Sequence, residues 1–296
     1  MRALADFIMR GRVQATVVVV GCAALPLLFW LSAAAVSLVF LRRGFKDASP
    51  VIAWALLPVL AWWSLGDPLV LFGMCGTLGL AALLRAGHSW NRVLLVSVAL
   101  GLVYGLLLSS VFREPIEALA RALEKALPQM LNGFYQKLSV EEQARLGTHL
   151  FPMVTGMMAI GLQVICVLTL MLARYWQAAL YNPGGFAREF QAVRFTPVPA
   201  MMLLAGVMFG PTLGSGLALL TPLCSVPLAL AGVALVHGLV AQGRLSRFWL
   251  VGLYVSLLFM QLTYPLLVVL AIVDSLIDFR GIKSRQRDDD PANGEG

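Results

Sequence analysis

The chain has 296 residues, of which 59% are apolar and 12% are charged, whereas an ordinary soluble domain has roughly 25% charged residues. A water-soluble core cannot hide this much apolar surface. Stretches of about 20 mostly apolar residues, each long enough to cross roughly 30 Å of hydrocarbon, follow one another along the chain. The composition therefore predicts an all-α, polytopic membrane protein whose solvent is lipid.

The formal net charge of +7 is concentrated in short loops beside the apolar stretches. This distribution is typical of membrane topology and argues against a nucleic-acid surface. We therefore expect membrane lipids, and no nucleic acid, as partners. The cysteines form no CxxC pair and lie in or at the edge of apolar stretches, so we interpret them as small hydrophobic residues: Cys22, Cys75, Cys166 and Cys224.

Eight apolar segments can be marked along the chain: residues 13–41, 51–65, 68–84, 93–112, 150–173, 199–221, 225–241 and 248–273. The first follows a basic start, but it is longer than the roughly 7 to 15 apolar residues of a signal peptide and lacks a small-residue cleavage site. We therefore expect it in the mature protein.

Basic residues flank both ends of the first and of the last segment, and each of these segments contains a proline, Pro26 or Pro265. A proline inside a helix removes a hydrogen bond and kinks or breaks the helix. We predict six full spans between two proline-broken, hairpin-like terminal segments, with both termini cytoplasmic in a bacterial inner membrane. Of the 22 basic residues, 17 then face the cytoplasm, as the positive-inside rule requires. The alternative is eight full crossings.

The transmembrane domain predicted at residues 1–279 contains one long insertion, residues 113–149, and is followed by a polar, disordered cytoplasmic tail at residues 280–296. Ser139 and Glu142 form a capping-box pattern that predicts a further short helix within the insertion. Apolar residues at helical spacing predict an amphipathic helix before it: Ile116, Leu119, Leu123, Leu127, Met130, Leu131, Phe134 and Leu138. The helix is either a connector packed on the spans or a docking site for a partner.

A second connecting stretch, residues 174–195, mixes aromatic and arginine side chains, among them Trp176 and Arg194. Such a mixture suits the headgroup layer, and we expect interfacial anchoring there.

Glycines four residues apart recur in two spans and predict close packing between helices: Gly101 and Gly105, then Gly206, Gly210 and Gly214. Pro211 adds a kink inside the second series.

Polar side chains within apolar segments are costly and therefore mark candidate ligand-binding residues: Gln163, His237 and Gln261. The alternatives are an interhelical hydrogen bond for the two glutamines and solvation near the interface for His237. Asp274 and Asp278 share a helix face beside Arg280, which predicts an ion pair at the membrane edge.

Enzyme motifs are missing from the sequence: it contains no HExxH, no Walker A and no GxSxG pattern. Ser215 between Gly214 and Gly216, with His237, is a faint match to an intramembrane serine protease, but Leu213 stands where that motif has a glycine. We predict no catalytic residues, no metal ligands and no cofactor.

Three runs of sequence resemble the YybS-like family of bacterial membrane proteins: LARYWQAALYNPGGFAREFQAVRF at residues 172–195, GVALVHG at 232–238 and VDSLIDFR at 273–280. The opening MRGRVQATVVVV resembles the family's start. The family is distantly similar to the substrate-binding membrane subunits of energy-coupling-factor vitamin transporters. The resemblance implies a bundle of about six helices, from which the insertion at 113–149 departs.

Two functions follow as hypotheses. The first is a small-molecule-binding or transport component that depends on an energising membrane partner, because the chain has no ATPase signature. The second is a non-catalytic membrane scaffold or assembly factor. The scarcity of buried polar groups and the amphipathic insertion favour this hypothesis. An intramembrane enzyme is the least supported alternative.

Overall fold

The computed structural model describes residues 2–131, 133, 137, 139–214 and 217–281. Within these ranges the regular structure is helical, with 13 α-helices and no strand. The predicted tail beyond Gly281, the positions Phe134 and Leu138, and the Ser215–Gly216 pair lie outside the described residues. The all-α class predicted from composition is confirmed.

The helices, in chain order, have the following bounds: α1 Arg2–Arg10, α2 Arg12–Ala23, α3 Phe29–Arg43, α4 Phe45–Ser64, α5 Leu69–Arg85, α6 Trp90–Ser110, α7 Arg113–Met130, α8 Val140–Tyr181, α9 Gly185–Gln191, α10 Pro197–Phe209, α11 Leu220–Ala241, α12 Phe248–Phe259 and α13 Thr263–Ile277. The chain divides into two compact units. Unit 1 contains Met1–Gly87 and Val96–Leu180, and unit 2 contains His88–Leu95 and Tyr181–Gly296.

Four helical stretches among the described residues are long and apolar enough to cross a membrane: Pro26–Arg43, Trp90–Ser110, Glu141–Tyr181 and Leu220–Ala241. Shorter apolar helices, among them α5 and α10, accompany them. In length and composition these helices are compatible with an integral membrane protein.

The first apolar segment folds back on itself as an N-terminal hairpin formed by α2 and α3. The chain leaves α2 after Ala23 and turns through a 3-10 helix at Pro26–Leu28. Ser32 Oγ donates to the Val19 carbonyl at 2.8 Å, across 13 residues of sequence. Arg43 donates to the Met9 carbonyl, across 34 residues. The two helices are therefore antiparallel, and the interruption predicted at Pro26 is present.

Helix α4 runs beside this hairpin over nearly the thickness of a membrane. At its start Asp47 pairs with Arg12, and near its end Trp62 Nε1 donates to the Ala23 carbonyl at 3.1 Å. Its 20 residues span roughly 30 Å at 1.5 Å per residue, which is the thickness of the hydrocarbon core. The turn of the hairpin therefore lies level with the end of α4, and α4 is about as long as the hydrocarbon core is thick.

The core of unit 1 forms where small side chains of α3 meet α2, α4 and α5, and Trp176 is fully buried in it. Trp176 was expected to anchor in the headgroup layer, but its ring is buried among the helices of unit 1. Helix α8 continues through Tyr181, so Trp176 lies on a packed helix rather than in an interfacial loop. Large aromatic rings bury more apolar area than most side chains, and this one fills the space beside the alanines of α3.

The insertion contains the predicted amphipathic helix, α7, with Ile116 and Ala120 buried. The capping box is also present: the Ser139 backbone N–H donates to Glu142 Oε2 at 2.8 Å, and the Glu142 N–H donates to Ser139 Oγ at 3.3 Å. It begins not a short helix but α8, whose 42 residues extend roughly 63 Å. The end of the insertion is thus continuous with a span, because nothing between Ser139 and residue 150 interrupts the helix.

In unit 2, α12 and α13 form a C-terminal hairpin. The Arg244 guanidinium, before α12, donates to the Phe279 carbonyl, after α13, across 35 residues. The break lies at Met260–Leu262, ahead of the predicted position, and Pro265 sits in the first turn of α13. A proline is tolerated there because the first backbone N–H groups of a helix have no partner within the helix.

Candidate functional site

The three polar candidates occupy different surroundings. Gln163 of α8 is buried in unit 1, where its Nε2 donates to Ser97 Oγ at 3.1 Å. This is the interhelical hydrogen bond given as the alternative to a ligand site. In unit 2, Gln261 is exposed in the break between α12 and α13.

His237 of α11 has a specific partner on the next helix. Its Nε2 lies 2.8 Å from Tyr254 Oη on α12, and Phe190 meets the ring edge to face, with centroids 5.6 Å apart. Gln261 lies beyond the end of α12, whereas Tyr254, the partner of His237, lies within that helix. Unit 2 therefore holds His237 in a contact between helices and Gln261 in the exposed break after α12.

The glycine series of α10 divides into packing and turn positions. A Cβ on Gly206 would lie 2.5 Å from Cys224 Sγ, and one on Gly210 would lie 2.9 Å from the Thr221 backbone nitrogen. Gly214 instead has φ +108 and open space around its Cα, so the turn requires it for its backbone conformation. In unit 1, Gly101 and Gly105 are both buried on α6.

A cluster of four charged residues, named here the Asp274 cluster, joins the end of α13 to the chain between α9 and α10. Its members are Arg194, Asp274, Asp278 and Arg280. Arg280 Nη2 donates to Asp274 Oδ2 at 2.7 Å, and their side chains are 1% and 2% exposed. Arg194 Nε lies 3.5 Å from carboxylate oxygens of both aspartates. The predicted ion pair at this helix end is present, and it is buried.

The two arginines of the cluster also bind backbone carbonyl groups. Arg194 donates to the carbonyls of Asp274 and Ser275 at the end of α13. Arg280 donates to the carbonyls of Gln191 and Val193 after α9, at 2.6 and 2.9 Å. The last carbonyls of a helix have no partner within the helix, and the negative end of the helix dipole favours a cation. Each arginine thus ties a helix end to a distant part of unit 2.

Two residues, Asn91 and Gly238, border this cluster. Asn91 brackets Arg194 by donating to its carbonyl and accepting from its backbone N–H at 3.3 Å. Gly238 of α11 leaves room for Arg280, because a Cβ there would lie 2.8 Å from Arg280 Cδ and 3.2 Å from the Gln191 carbonyl oxygen. With two cations and two anions the cluster is electrically neutral, which suits cross-linking of helix ends better than capture of a charged ligand.

Three separate runs of sequence, residues 172–195, 232–238 and 273–280, supply or border this cluster. The first run supplies Gln191 and Arg194, the second supplies Gly238, and the third supplies Asp274 and Arg280. Separate stretches of sequence therefore converge on one structural feature. No family model matches the chain, and neither a curated protein nor a solved structure matches it.

Unit 1 contains two cavities of different character. A groove of 450 Å³ between α5 and α6 is lined almost entirely by apolar side chains and by Gly76 and Gly79. Tyr104 crosses its floor and donates to the Phe72 carbonyl at 2.6 Å. A Cβ on Gly76 would collide with the Tyr104 hydroxyl, so this glycine permits the tie between the two helices.

The second cavity, of 260 Å³, lies between α7 and α8 and is lined by charged residues that include Glu117, Arg121 and Glu124. Glu117 accepts a hydrogen bond from Arg113 Nε at 2.6 Å, and this guanidinium lowers the pKa of the Glu117 carboxyl. In the described part of the chain, no group of three His, Cys, Asp or Glu residues could hold a metal ion.

The sequence analysis did not single out Gly232 and Gly76 as packing positions, and it expected Arg194 at the membrane interface, whereas Arg194 is buried. A Cβ on Gly232 would collide with the Leu267 backbone carbonyl, so α11 and α13 are in backbone contact there. Spacing gave no signal, because neither Gly232 nor Gly76 has a glycine four residues away. The sequence signal for the burial of Arg194 was its place directly between two apolar residues, Val193 and Phe195, which are themselves buried.

Proposed function

We propose that the chain is the membrane-embedded, non-catalytic subunit of a small-molecule-binding or transport complex, energised by a protein partner. The observation that supports this is the pair of interrupted hairpins, in which the helix breaks inside an apolar segment, at Pro26–Leu28 and at Met260–Leu262. Leu27 is 84% exposed and Leu262 is 81% exposed. Lipid offers no hydrogen-bond partner to the backbone at such a break, so the turns need water, headgroups or a partner. Transporters use interrupted helices to build their substrate sites.

The topology proposed with this function has both terminal hairpins beginning and ending on the cytoplasmic side of a bacterial inner membrane, with six spans between them. The insertion at 113–149 is then on the opposite side. A reporter that is active only in the periplasm should be active when fused at Gly133 and silent at Gly281. The reverse pattern would contradict the topology.

Thiol labelling of the hairpin turns tests the function itself. Leu27→Cys and Leu262→Cys would be made with the four native cysteines replaced by alanine, and a membrane-impermeant reagent would be added from one side at a time. Labelling from the cytoplasmic side would indicate a water-filled cavity that reaches the turns, as the proposal requires. Lys46→Cys, at the exposed base of the N-terminal hairpin, is the cytoplasmic positive control.

Labelling of both turns from the periplasmic side alone would contradict the transport proposal. That result would mean that each terminal segment crosses the membrane and returns, with its turn at the far surface. Trp62 lies level with the turn of the N-terminal hairpin. Tryptophan is enriched at membrane interfaces, so its position is compatible with a turn at the far surface.

The second candidate function, a membrane scaffold or assembly factor, is favoured by the Asp274 cluster, whose buried charges join helix ends to one another. Under this proposal, removing the Asp274 charge should disturb assembly with a partner without changing uptake of any solute. Crosslinking of the full chain in native membranes, with and without Asp274→Asn, distinguishes the two functions when both chains are compared at equal folded yield. At equal yield, loss of a crosslinked partner band supports the scaffold, and an unchanged band contradicts it.

Membership of the YybS-like family, with its distant similarity to energy-coupling-factor subunits, remains part of the proposal. It rests on the resemblance of the three runs at residues 172–195, 232–238 and 273–280. Co-purification of an ATPase-containing partner with the full chain from gentle detergent would support the energised complex. Purification of the chain alone from membranes in which such partners are intact would contradict it.

A further inference from the structure

The base of the N-terminal hairpin, where α1, α2, α3 and α4 begin or end, is strongly basic. Six basic and two acidic side chains lie there, which gives this basal surface a formal net charge of +4. Its charged members are Arg2, Asp6, Arg10, Arg12, Arg42, Arg43, Lys46 and Asp47.

Both acidic residues of the basal surface are already paired. Asp6 pairs with Arg10 at 3.3 Å, one helical turn away, and Asp47 pairs with Arg12 at 2.5 Å. With both pairs counted, the basal surface keeps its formal net charge of +4. This contrasts with the Asp274 cluster, where two arginines face two aspartates.

Helix α1 holds the basal surface in place. Ala5, Ile8 and Met9 are buried against the hairpin, and Arg43 donates to the Met9 carbonyl at the end of α1. The opposite face of α1 carries Phe7, which is 39% exposed. A short helix with one face packed and a basic, aromatic opposite face is suited to the membrane interface.

The basal surface lies at the end of a span. The stretch Pro26–Arg43 is apolar enough to cross a membrane and ends at two arginines, and Phe45, directly beyond them, is 68% exposed. Basic side chains at a span end reach the headgroup layer, and aromatic rings prefer the boundary between headgroups and acyl chains. Geometry and charge thus place this surface where lipid phosphates are found.

We propose that the basal surface binds anionic phospholipid headgroups of the surrounding membrane, with Phe7 and Phe45 in contact with the upper part of the acyl chains. Clusters of four to eight basic residues beside a span attract anionic lipids, and the attraction falls off within a Debye length. The proposal does not depend on any transport function, since it requires only that the hairpin is in a membrane.

The test compares phosphatidylglycerol, phosphatidylcholine and soluble glycerol phosphate as probes of the full chain purified in neutral detergent. Binding would be measured by native mass spectrometry and by the rise in melting temperature. We expect the wild-type chain to bind phosphatidylglycerol at least about tenfold more tightly than phosphatidylcholine. Glycerol phosphate, which lacks acyl chains, should compete only weakly. Equal binding of the two lipids would overturn the proposal, and full competition by glycerol phosphate would identify a free-phosphate site instead.

A matched pair of variants locates the site. The double variant Arg42→Gln, Lys46→Gln removes two charges from the basal surface, and Arg188→Gln, Arg247→Gln removes two exposed charges from unit 2. The first should weaken phosphatidylglycerol binding by about tenfold and the second by less than about twofold. An equal loss in both would mean a general charge effect and would overturn the assignment. Without lipid, both variants should have the melting temperature of the wild type. If a variant fails to fold, the lipid preference of the wild-type chain still tests the proposal.

Discussion

The two terminal hairpins consist of helices of the same lengths but are stabilised in different ways. Helices α2 and α12 each have 12 residues, and α3 and α13 each have 15. In the N-terminal hairpin, α3 is buried from Ser32 to Val39, whereas in the C-terminal hairpin, α12 buries only Leu253. The charges show the opposite distribution, being exposed at the base of the first hairpin and buried at the base of the second.

This difference indicates that the first hairpin depends on close packing of small side chains, whereas the second combines packing of one helix with buried polar ties. Alanine-rich α3 lets neighbouring backbones approach, which is how helices associate where lipid removes the hydrophobic driving force. Helix α12 lacks such packing, and α13 is fixed both by its close contact with α11 at Gly232 and by Arg194, Arg280 and Asp274. The loss in the free energy of unfolding caused by a substitution should therefore differ between the two hairpins.

The largest effect is expected for Asp274→Ala in the C-terminal hairpin. Removing this carboxylate leaves two buried guanidinium groups without their main counterion, and breaking a buried pair in this way costs about 3 to 5 kcal/mol. We expect a large loss in the free energy of unfolding, measured by thermal unfolding in detergent. Asp6→Ala, which removes an exposed aspartate, is the control and should unfold like the wild type. Equal stability of the two variants would contradict the distinction between the hairpins.

The next effect concerns the contact between α11 and α13. Gly232→Ala should destabilise unit 2 by about 1 to 3 kcal/mol, because the new Cβ meets a backbone carbonyl that cannot rotate away. Gly252→Ala on α12 meets nothing within 4 Å and should stabilise the helix by about 0.5 to 1 kcal/mol. The melting temperature should therefore fall for Gly232→Ala and rise for Gly252→Ala. A loss at both positions would mean that α12 packs against something at Gly252.

Arginine ties at helix ends allow a direct comparison of an exposed and a buried case. Arg85 donates to the carbonyls of Phe40 and Leu41 at the end of α3 but is exposed, and Arg85→Gln should cost about 1 kcal/mol. Arg194→Gln removes a buried tie and should cost at least twice as much. Chemical unfolding of the two variants in the same detergent checks the order, and a larger loss for Arg85→Gln would reverse the comparison.

The smallest effect is expected at the base of the N-terminal hairpin. Arg12→Gln breaks the ion pair with Asp47, but exposed pairs are screened by water and contribute little. We expect no measurable change in melting temperature at physiological salt. A clear loss would show that this surface is covered in the folded protein.

The sequence by itself determined the helical class, the membrane character, the broken first segment, the amphipathic insertion helix and its capping box. All of these depend on local composition or on spacing within one or two helical turns, which the printed sequence displays directly. Pro26 and the Ser139–Glu142 pair act on their own helix, so no distant contact was needed to predict them.

Only the tertiary structure decided which polar groups meet. Gln163 pairs with Ser97 across 66 residues, and Arg194 meets Asp274 across 80, separations that no local pattern encodes. Trp176, expected at the interface, became core because α8 continues past the predicted end of its span. The break before α13 also moved ahead of Pro265, because a proline is compatible with the first turn of a helix. Long-range packing fixed these positions, since burial and pairing depend on the neighbours that the fold supplies.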